Sequence, residues 1–280
     1  DNTELKPAEE NPWYVLATIY GEEPDLLTQI KNKRAWNAWA MQELNDEEKQ
    51  RIILEDKFSP VSFANWDGIK DEVTELFGKR LPNLELPKPG YIFFYDIEFS
   101  KEVDLSNYVF AGPVIFNNTA FLSEVSFSGS IFTKYITFNK TTFKQRVCFT
   151  ETTFSNKTIF NDTTFQSLVD FTGAAFGHNV HFSAVCEGVS SFFQCSFEKS
   201  INLMTSKFKK AYPILTGANL DVKATFPPFP QNWPGPYNCR QNFFDAKESC
   251  ATLRHITNLQ GRPEQAHFFF RREMHFASKI

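Results

Sequence analysis

The chain has 280 residues, of which 42% are apolar and 22% are charged, and its formal net charge is −4 at pH 7. It contains no run of 18 apolar residues, so the sequence predicts no segment that crosses a membrane. The composition is unusual in one respect, because 32 residues are phenylalanine and only 3 are methionine.

Residues 1–90 are predicted to form a helical module. A short apolar segment opens at Asn11 and Pro12, and helices are predicted at about 25–43, 45–57 and 67–76. The second of these begins with a capping box, because Asn45 is followed three residues later by Glu48. The third is expected to stop at Gly78, after which several prolines predict an extended lead into the next domain.

From residue 94 onward, a large apolar residue recurs at intervals that alternate strictly between five and six residues. Sixteen of these seventeen positions are phenylalanine and the other is leucine: Phe94, Phe99, Leu105, Phe110, Phe116, Phe121, Phe127, Phe132, Phe138, Phe143, Phe149, Phe154, Phe160, Phe165, Phe171, Phe176 and Phe182. This period fits neither a helix nor a single strand. It predicts a short supersecondary unit that stacks on copies of itself, and such arrays need atypical caps at their ends.

The residue two positions before most of these phenylalanines is small or β-branched, from Val114 to Val180. Residues two apart on an extended segment point to the same side. Each unit is therefore predicted to bury one small residue and one phenylalanine, and then to turn at a polar corner. The predicted fold class is mainly β, with short strands alternating with corners.

The alternation of five-residue and six-residue intervals limits the number of sides in one coil. Corners of the same kind lie above one another only if the number of sides is even. From Phe116 to Phe171, six phenylalanines end an interval of six residues, and the residues that directly follow them are Asn117, Ser128, Asn139, Thr150, Asn161 and Thr172. Asparagine therefore recurs every 22 residues. This predicts a four-sided coil of about 22 residues with an asparagine column, rather than a two-sided coil of about 11. Residues 94–220 leave room for roughly six coils, or ~25–30 Å at the usual strand spacing.

These features resemble the pentapeptide-repeat proteins. Val114–Phe121 and Val169–Phe176 look like the Phe-centred repeat of that family, and Gly217–Leu220 looks like its Ala-Asn-Leu form. The resemblance implies a right-handed four-sided parallel β-helix, placed at residues 91–222. The stretch that begins at Asn11 and the segment Trp36–Trp39 look like the N-terminal extension of some bacterial members.

The repeat is interrupted after Phe182. Glu187 occupies the next expected core position, the repeat resumes at Phe193, and the following step to Phe197 is short. We expect a bulge or an extruded loop at about 185–191.

Residues 223–241 are predicted to be a proline-rich linker, and residues 242–280 a helical hairpin. Its helices are predicted at about 242–258 and 263–280, with Gly261 at the turn and Pro263 at the first helical position. The hairpin is similar to a helical segment that precedes membrane-spanning helices in some pentapeptide-repeat proteins. Because the helical pattern is still running at Ile280, one expectation is a longer native chain that is attached to a membrane.

Charge is distributed unevenly along the chain. The net charge is −7 over residues 1–93, 0 over residues 94–220 and +3 over residues 221–280, which sum to −4. A solenoid that imitates duplex DNA must be densely negative to compete with phosphates, and a nucleic-acid binder needs a basic stripe. A neutral solenoid fits neither, so nucleic acid is not an expected partner.

The sequence offers no clear chemical site. His178, His181, Cys186 and Cys195 lie near the break in the repeat, but their spacing matches no compact zinc motif, and we expect them to face solvent. The five cysteines are irregularly spaced, which is typical of free thiols in a reducing, cytoplasmic compartment. No nucleophile elbow, phosphate loop or dinucleotide fingerprint occurs, so we assign no catalytic, cofactor-binding or metal-binding residue and expect no enzyme.

The sequence favours a non-enzymatic protein-interaction scaffold; the alternative is a DNA-mimic inhibitor of a type II topoisomerase. Aromatic and arginine side chains dominate interface energetics, and both terminal modules are rich in them. The candidate partner-binding residues are Trp13, Trp36, Trp39, Phe268, Phe270, Arg271, Arg272 and Phe276. The hairpin is the first expected region of partner contact or self-association, and the N-terminal module is the second.

Overall fold

The structure, a computed structural model, describes residues 4–54, 65–228 and 230–280. Its main body is a stack of short parallel strands in which each residue pairs with the residue 22 positions further along. Val114 pairs with Ile136, and Ile136 pairs with Thr158. On the neighbouring face, Phe121 pairs with Phe143. The predicted four-sided coil of about 22 residues is confirmed, and the two-sided coil is wrong.

Two of the four faces belong to one continuous sheet. The first face stacks Ile92–Phe93, Val114–Ile115, Ile136–Thr137, the start of Thr158–Phe165, the start of Val180–Cys186, and Ile201–Asn202. The second face stacks Lys6–Pro7, Ile97–Phe99, Ala120–Phe121, Thr142–Phe143, the end of Thr158–Phe165, the end of Val180–Cys186, and Lys207–Phe208. Along the first face, these strands define about five full turns.

The other two faces are separate sheets of five strands each. The third face stacks Val103–Asp104, Val125–Ser126, Val147–Cys148, Val169–Asp170 and Ser190–Ser191. The fourth face stacks Val109–Phe110, Ile131–Phe132, Thr153–Phe154, Ala175–Phe176 and Ser196–Phe197. A single bridge between Asn202 and Thr225 carries the stacking slightly beyond the predicted end of the solenoid at residue 222.

The asparagine column is confirmed. The backbone N–H of Asn118 donates to the carbonyl of Asn139 at 2.8 Å, and the N–H of Lys140 donates to the carbonyl of Asn161 at 2.8 Å. The side-chain oxygen of Asn117 also accepts the backbone N–H of Asn139 at 3.1 Å. These three asparagines therefore occupy equivalent corners of successive coils.

The alternation of five-residue and six-residue steps has a structural cause, because the coil has two kinds of corner. Each five-residue step in the regular part of the stack contains one residue in the left-handed backbone region. These residues are Asp96, Asn107, Asn118, Gly129, Lys140, Glu151, Asp162 and Gly173. A left-handed residue turns the chain sharply, so a corner that contains one needs one residue fewer.

The core consists of four columns of phenylalanine rings. Within a column the rings are stacked and nearly parallel: Phe94 and Phe116 have centroids 4.6 Å apart, and Phe138 and Phe160 are 4.9 Å apart. Columns from the first and third faces meet edge to face, as Phe138 and Phe149 do at 5.7 Å and 76°. Both geometries suit the quadrupole of an aromatic ring. One residue type at most of the ring positions can therefore pack both along and across the coils.

Two further buried columns carry hydroxyl groups or a thiol, one beside the second face and one beside the fourth. We call both of them the hydroxyl column. The side chain of Thr152 donates to the carbonyl of Phe127 at 2.8 Å, and Thr163 donates in the same way to Phe138 at 2.8 Å. The same bond, made to a carbonyl 24 or 25 residues earlier, comes from Thr119, Ser130, Thr141, Cys195 and Ser206. A buried hydroxyl must find a partner, and this arrangement supplies one in every coil. The preference for threonine and serine in the second layer of the repeat is thereby explained.

The bulge or extruded loop expected at about 185–191 is not found there; the coil is one residue shorter instead. Val180–Cys186 is a continuous strand, and its partner strand accommodates the difference as a bulge between Asn161 and Thr163. The position of left-handed Asp162 has no counterpart in the next coil. Cys186 therefore takes the inward position that the sequence assigned to Glu187, while Glu187 faces outward and bonds Lys209 at 2.8 Å.

The repeat then resumes one residue earlier than predicted. Phe192 is the buried residue, stacked on Phe171 at 5.1 Å, whereas Phe193 is half-exposed. Cys186 is too small to continue the ring column above Phe165, and Phe182 compensates. The ring of Phe182 is tilted by 58° from Phe160 but lies parallel to Phe165, at 5.8 Å and 6°.

The terminal modules are helical, as predicted. The helices are α1 (Pro12–Ala17), α2 (Leu26–Ala40), α3 (Asp46–Leu54), α4 (Trp66–Arg80), α5 (Phe243–Leu259) and α6 (Pro263–Ala277). The capping box before α3 is confirmed, because Asn45 and Glu48 exchange backbone-to-side-chain hydrogen bonds at 3.1 and 2.9 Å. The predicted end of this helix at Lys57 lies outside the described residues.

Two features of the N-terminal module differ from the prediction. Helix α4 continues through Gly78 to Arg80, because Gly78 keeps a helical backbone and the chain turns only before Pro82. In addition, Lys6–Pro7 forms a short strand against Ile97–Glu98. This strand covers an edge of the first coil that would otherwise be open to pairing with another chain.

Replacing Phe138 with alanine should lower the free energy of unfolding by ~3–5 kcal/mol, because it empties a fully buried position in the middle of a ring column. Chemical denaturation measures this loss. The matched control is Phe193→Ala, which removes a half-exposed ring and should cost less than ~1 kcal/mol. Equal losses in the two variants would contradict the observed register.

Replacing Thr152 with valine should cost ~1 kcal/mol, because the change preserves shape but removes a buried hydrogen bond. Thr142 provides the control, since its side chain lies on the outer surface of the second face and Thr142→Val should change the stability by less than ~0.5 kcal/mol. Thermal or chemical unfolding of the two variants side by side tests the hydroxyl column; identical stabilities would show that the buried bond contributes nothing.

Candidate functional site

The C-terminal hairpin closes the last coil through a cluster of aromatic rings. Trp233 is buried and stacks on Phe208 with centroids 5.2 Å apart. From α6, Phe269 meets Trp233 edge on at 5.0 Å, and Phe276 meets Tyr212 edge on at 5.8 Å. Capping the solenoid therefore uses the inward residues of α6.

The described residues of the proline-rich linker predicted at 223–241 pack against this cap. The indole N–H of Trp233 donates to the carbonyl of Pro227 at 3.0 Å, and the hydroxyl of Tyr212 donates to that of Pro234 at 3.1 Å. Asn232 donates to the carbonyl of Ser206 at 2.8 Å. The segment therefore has a fixed position against the solenoid and the hairpin.

An open groove of about 600 Å³ lies between this segment and α6. We call it the hairpin groove; its apolar floor and basic rim are formed by Pro228, Pro230, Trp233, Phe268, Arg262 and Arg271. Gln265 lies in the groove and donates to the carbonyl of Pro227 at 2.9 Å, which ties α6 to the proline-rich segment. The two walls are thus held at a fixed separation.

Phe268 presents an aromatic surface in this groove. Its ring is half-buried and meets Phe269 edge on at 5.2 Å. The guanidinium of Arg272 lies 5.2 Å from the centre of the ring, a distance at which a cation is attracted to an aromatic face. Packing on one side and the cation on the other therefore fix the orientation of Phe268.

The hairpin carries more arginine than its own ion pairs require. Arg254 on α5 pairs with buried Glu273 on α6 at 2.7 Å, and this bond joins the two helices. By contrast, within the described residues no carboxylate oxygen lies within ion-pair distance of Arg262, Arg271 or Arg272. Positive charge is therefore left uncompensated beside the hairpin groove.

A second surface lies on the solvent side of α6. Phe270 and Met274 are 42% and 43% exposed, and they are adjacent because they lie four residues apart on the helix. The guanidinium of Arg254 lies 5.9 Å from the ring of Phe270, and His267 stacks against the same ring at 6.4 Å. We call this group the hairpin outer face.

Three of the eight candidate partner-binding residues are buried, so the prediction is wrong for them. Trp36 and Trp39 are 0% and 1% exposed, and their indole N–H groups donate to the carbonyls of Val109 and Pro87. They hold α2 against the first coil. Phe276 is also 0% exposed, because it closes the opposite end. These side chains are used for capping and cannot contact a partner in the folded chain.

The other five candidates remain accessible to different extents. Phe270 and Arg271 are exposed, whereas Trp13, Phe268 and Arg272 are half-buried. The structure brings the four hairpin residues together on α6 but places Trp13 on the N-terminal module at the other end of the stack.

Trp13 belongs to an aromatic patch that the sequence analysis missed. Its ring meets Phe93 edge on at 5.3 Å, and Phe93 also contacts Tyr91 and Tyr95, which are 54% and 53% exposed. The sequence does contain a signal for this patch, namely apolar residues at positions that point outward. The residue just before each phenylalanine of the first face is such a position. That position is apolar in Phe93, Ile115 and Ile159.

Comparison with known families agrees with the architecture. A family model described as pentapeptide repeats, covering nine copies, matches residues 94–142 and 138–185. The solenoid of this chain belongs to the pentapeptide-repeat family. No curated protein matched the chain, and neither did any solved structure.

In this pentapeptide-repeat solenoid, the histidines and cysteines near the irregular coil do not form one cluster. His178 is exposed and His181 is half-exposed, whereas Cys186 and Cys195 are buried in the core. The expectation that all four face solvent is therefore wrong for the cysteines. Cys195 occupies a position of the hydroxyl column and donates to the carbonyl of Phe171 at 3.0 Å.

Burial raises the pKa of the Cys186 and Cys195 thiols to about 12, so both stay protonated at neutral pH. In the native protein, an aromatic disulfide reagent should therefore modify half-exposed Cys148 and Cys239, and Cys186 and Cys195 only after unfolding. Absorbance of the released thiolate measures the rates, and the double variant Cys148→Ser with Cys239→Ser should remove the native phase. Rapid native modification of Cys186 would contradict its inward position.

Proposed function

We propose that this chain is a non-enzymatic protein-interaction scaffold that contacts its partner through the C-terminal hairpin. One observation carries the proposal: Phe269 and Phe276 point into the cap that closes the end of the solenoid, while Phe270 and Arg271 on the same helix are exposed and Phe268 is half-buried. Aromatic and arginine side chains are the usual anchors of protein interfaces. A second copy of the chain is one such partner.

The solenoid suits the role of a rigid support. Its stacked rings and hydrogen-bonded coils leave few positions at which the body between the N-terminal module and the hairpin could bend. A surface presented on such a body loses little conformational freedom when it binds. The scaffold would therefore contribute positioning, and the hairpin would contribute recognition.

The scaffold is favoured over a DNA-mimic inhibitor of a type II topoisomerase. Two outward carboxylates of the solenoid have basic neighbours: Glu187 pairs with Lys209 at 2.8 Å and Asp170 with Arg146 at 3.7 Å. A surface whose acids are partly neutralised competes poorly with the phosphates of duplex DNA. Absence of inhibition in a gyrase supercoiling assay is the expected result.

The proposal also places the scaffold in the cytoplasm, as the cytosolic part of a membrane-attached protein. The five cysteines are free, as expected in a reducing compartment. In the ranges that the structure describes, none of the helices is both long enough and apolar enough to cross a bilayer. Fractionation of cells that express the full open reading frame tests this placement.

Photo-crosslinking tests the contact surface. A benzophenone amino acid at Phe270 should crosslink to a protein in the native host, whereas the same probe at Thr142 on the solenoid should not. Mass spectrometry identifies the product, and light scattering with purified components distinguishes a second copy from another protein. Crosslinks from Thr142 but not from Phe270 would place the interface on the coils.

Reversing the charge of the exposed hairpin should abolish the same contact. The variant Arg271→Glu should lose crosslinking from Phe270 and should keep the thermal midpoint of the wild type, because Arg271 supports no ion pair in the described structure. A matched charge reversal, Lys144→Glu on the second face, should retain the crosslink.

A further inference from the structure

We propose that the hairpin groove binds an acidic protein segment in which carboxylates flank a bulky apolar side chain. This inference rests on the proposed scaffold function and names the chemistry of its partner. It is carried by the juxtaposition of uncompensated arginines and an apolar floor within one concave surface.

The charge of the groove determines the sign of its ligand. Arg262 and Arg271 both line the groove, and neither has a carboxylate within ion-pair distance among the described residues. Arg272 adds a third positive charge above Phe268. Glu264 is an acidic residue of the same lining, but the arginines outnumber it and the groove keeps an excess of positive charge. A guanidinium binds a carboxylate through two parallel hydrogen bonds, which suits an acidic side chain.

The floor of the groove determines what lies between those carboxylates. Pro228, Pro230 and Phe268 offer apolar surface, and buried Trp233 lies beneath them. A volume of about 600 Å³ is within the range of sites that take several side-chain-sized groups. An anchor that fills this floor is desolvated, whereas the arginines at the rim stay in contact with solvent.

An acidic protein segment fits this surface better than a nucleic acid does. A nucleic acid requires basic residues that follow its backbone over a long surface. Here the excess positive charge is confined to the hairpin region, while the solenoid is neutral and residues 1–93 carry a net charge of −7. The rest of the chain therefore offers a polyanion no continuous positive surface beyond the groove.

Fluorescence anisotropy with the full chain tests the proposal. The probes are a short peptide with phenylalanine flanked by aspartate and glutamate, its counterpart with asparagine and glutamine, its counterpart with lysine, and a single-stranded oligothymidylate. We expect binding of the acidic peptide to be the tightest and to weaken when ionic strength rises from about 0.05 M to about 0.5 M. The neutral and basic peptides should bind about tenfold more weakly or not at all.

Variants locate the binding. The double variant Arg262→Gln and Arg271→Gln should weaken binding of the acidic peptide by about tenfold or more. The matched control, Lys144→Gln with Lys207→Gln, removes the same charge from the exposed second face and should leave binding unchanged. Phe268→Ser should also weaken binding, and the Arg254–Glu273 bond that joins the helices is untouched by all these changes.

The proposal is overturned if no peptide binds, if the neutral peptide binds as tightly as the acidic one, or if the double arginine variant binds like the wild type. Preference for the oligothymidylate would identify the groove as a nucleic-acid site instead. These outcomes are separable from the proposed scaffold function, because crosslinking from Phe270 would persist if only the chemistry assigned to the groove were wrong.

Discussion

Vertical alignment of residues 22 positions apart is the constraint on which the rest of this structure depends. Each coil buries its phenylalanines against the residues at the same inward positions of the neighbouring coils, most of which are phenylalanines too. A shift of one residue would turn inward side chains outward, because successive residues of a strand point to opposite faces. The ring columns, the hydroxyl column and the asparagine column are three consequences of this single register.

The regular part of the fold could be predicted because the register of the strands appears in the sequence as a period of 22 residues. Every corner and every inward residue repeats, so even weak local signals reinforce one another over many coils. The exception at Phe182 could not be read in the same way. Deleting one residue and inserting a loop both shift the period, and only the strand pairing of Asn161 with Ser183 and of Thr163 with Ala184 distinguishes them. The ring of Phe182 then adjusts to a neighbour that is far away in sequence.

The candidate site was harder to predict, because the same residue types serve capping and recognition. Phe268, Phe269, Phe270 and Phe276 lie on one helix, and helical spacing shows that they point in different directions. Spacing alone does not show which direction meets the solenoid. That depends on Trp233 and Tyr212, which reach the hairpin from other parts of the chain. The groove itself was invisible in the sequence, since one wall is a proline-rich segment that reads as a linker.

The short coil divides the molecule into unequal blocks. In a stack whose coils contact only their neighbours, stability is a sum of local terms and of interfaces between adjacent coils. At the interface where Cys186 replaces a ring above Phe165, Phe182 stacks on Phe165 and is tilted from Phe160, and this interface separates the long regular block from the few coils that carry the hairpin. Opening of the array into cooperative subunits begins at such an interface. Because Cys186 pairs with Phe208, on which Trp233 stacks, this packing irregularity lies only one coil away from the cap that carries the hairpin.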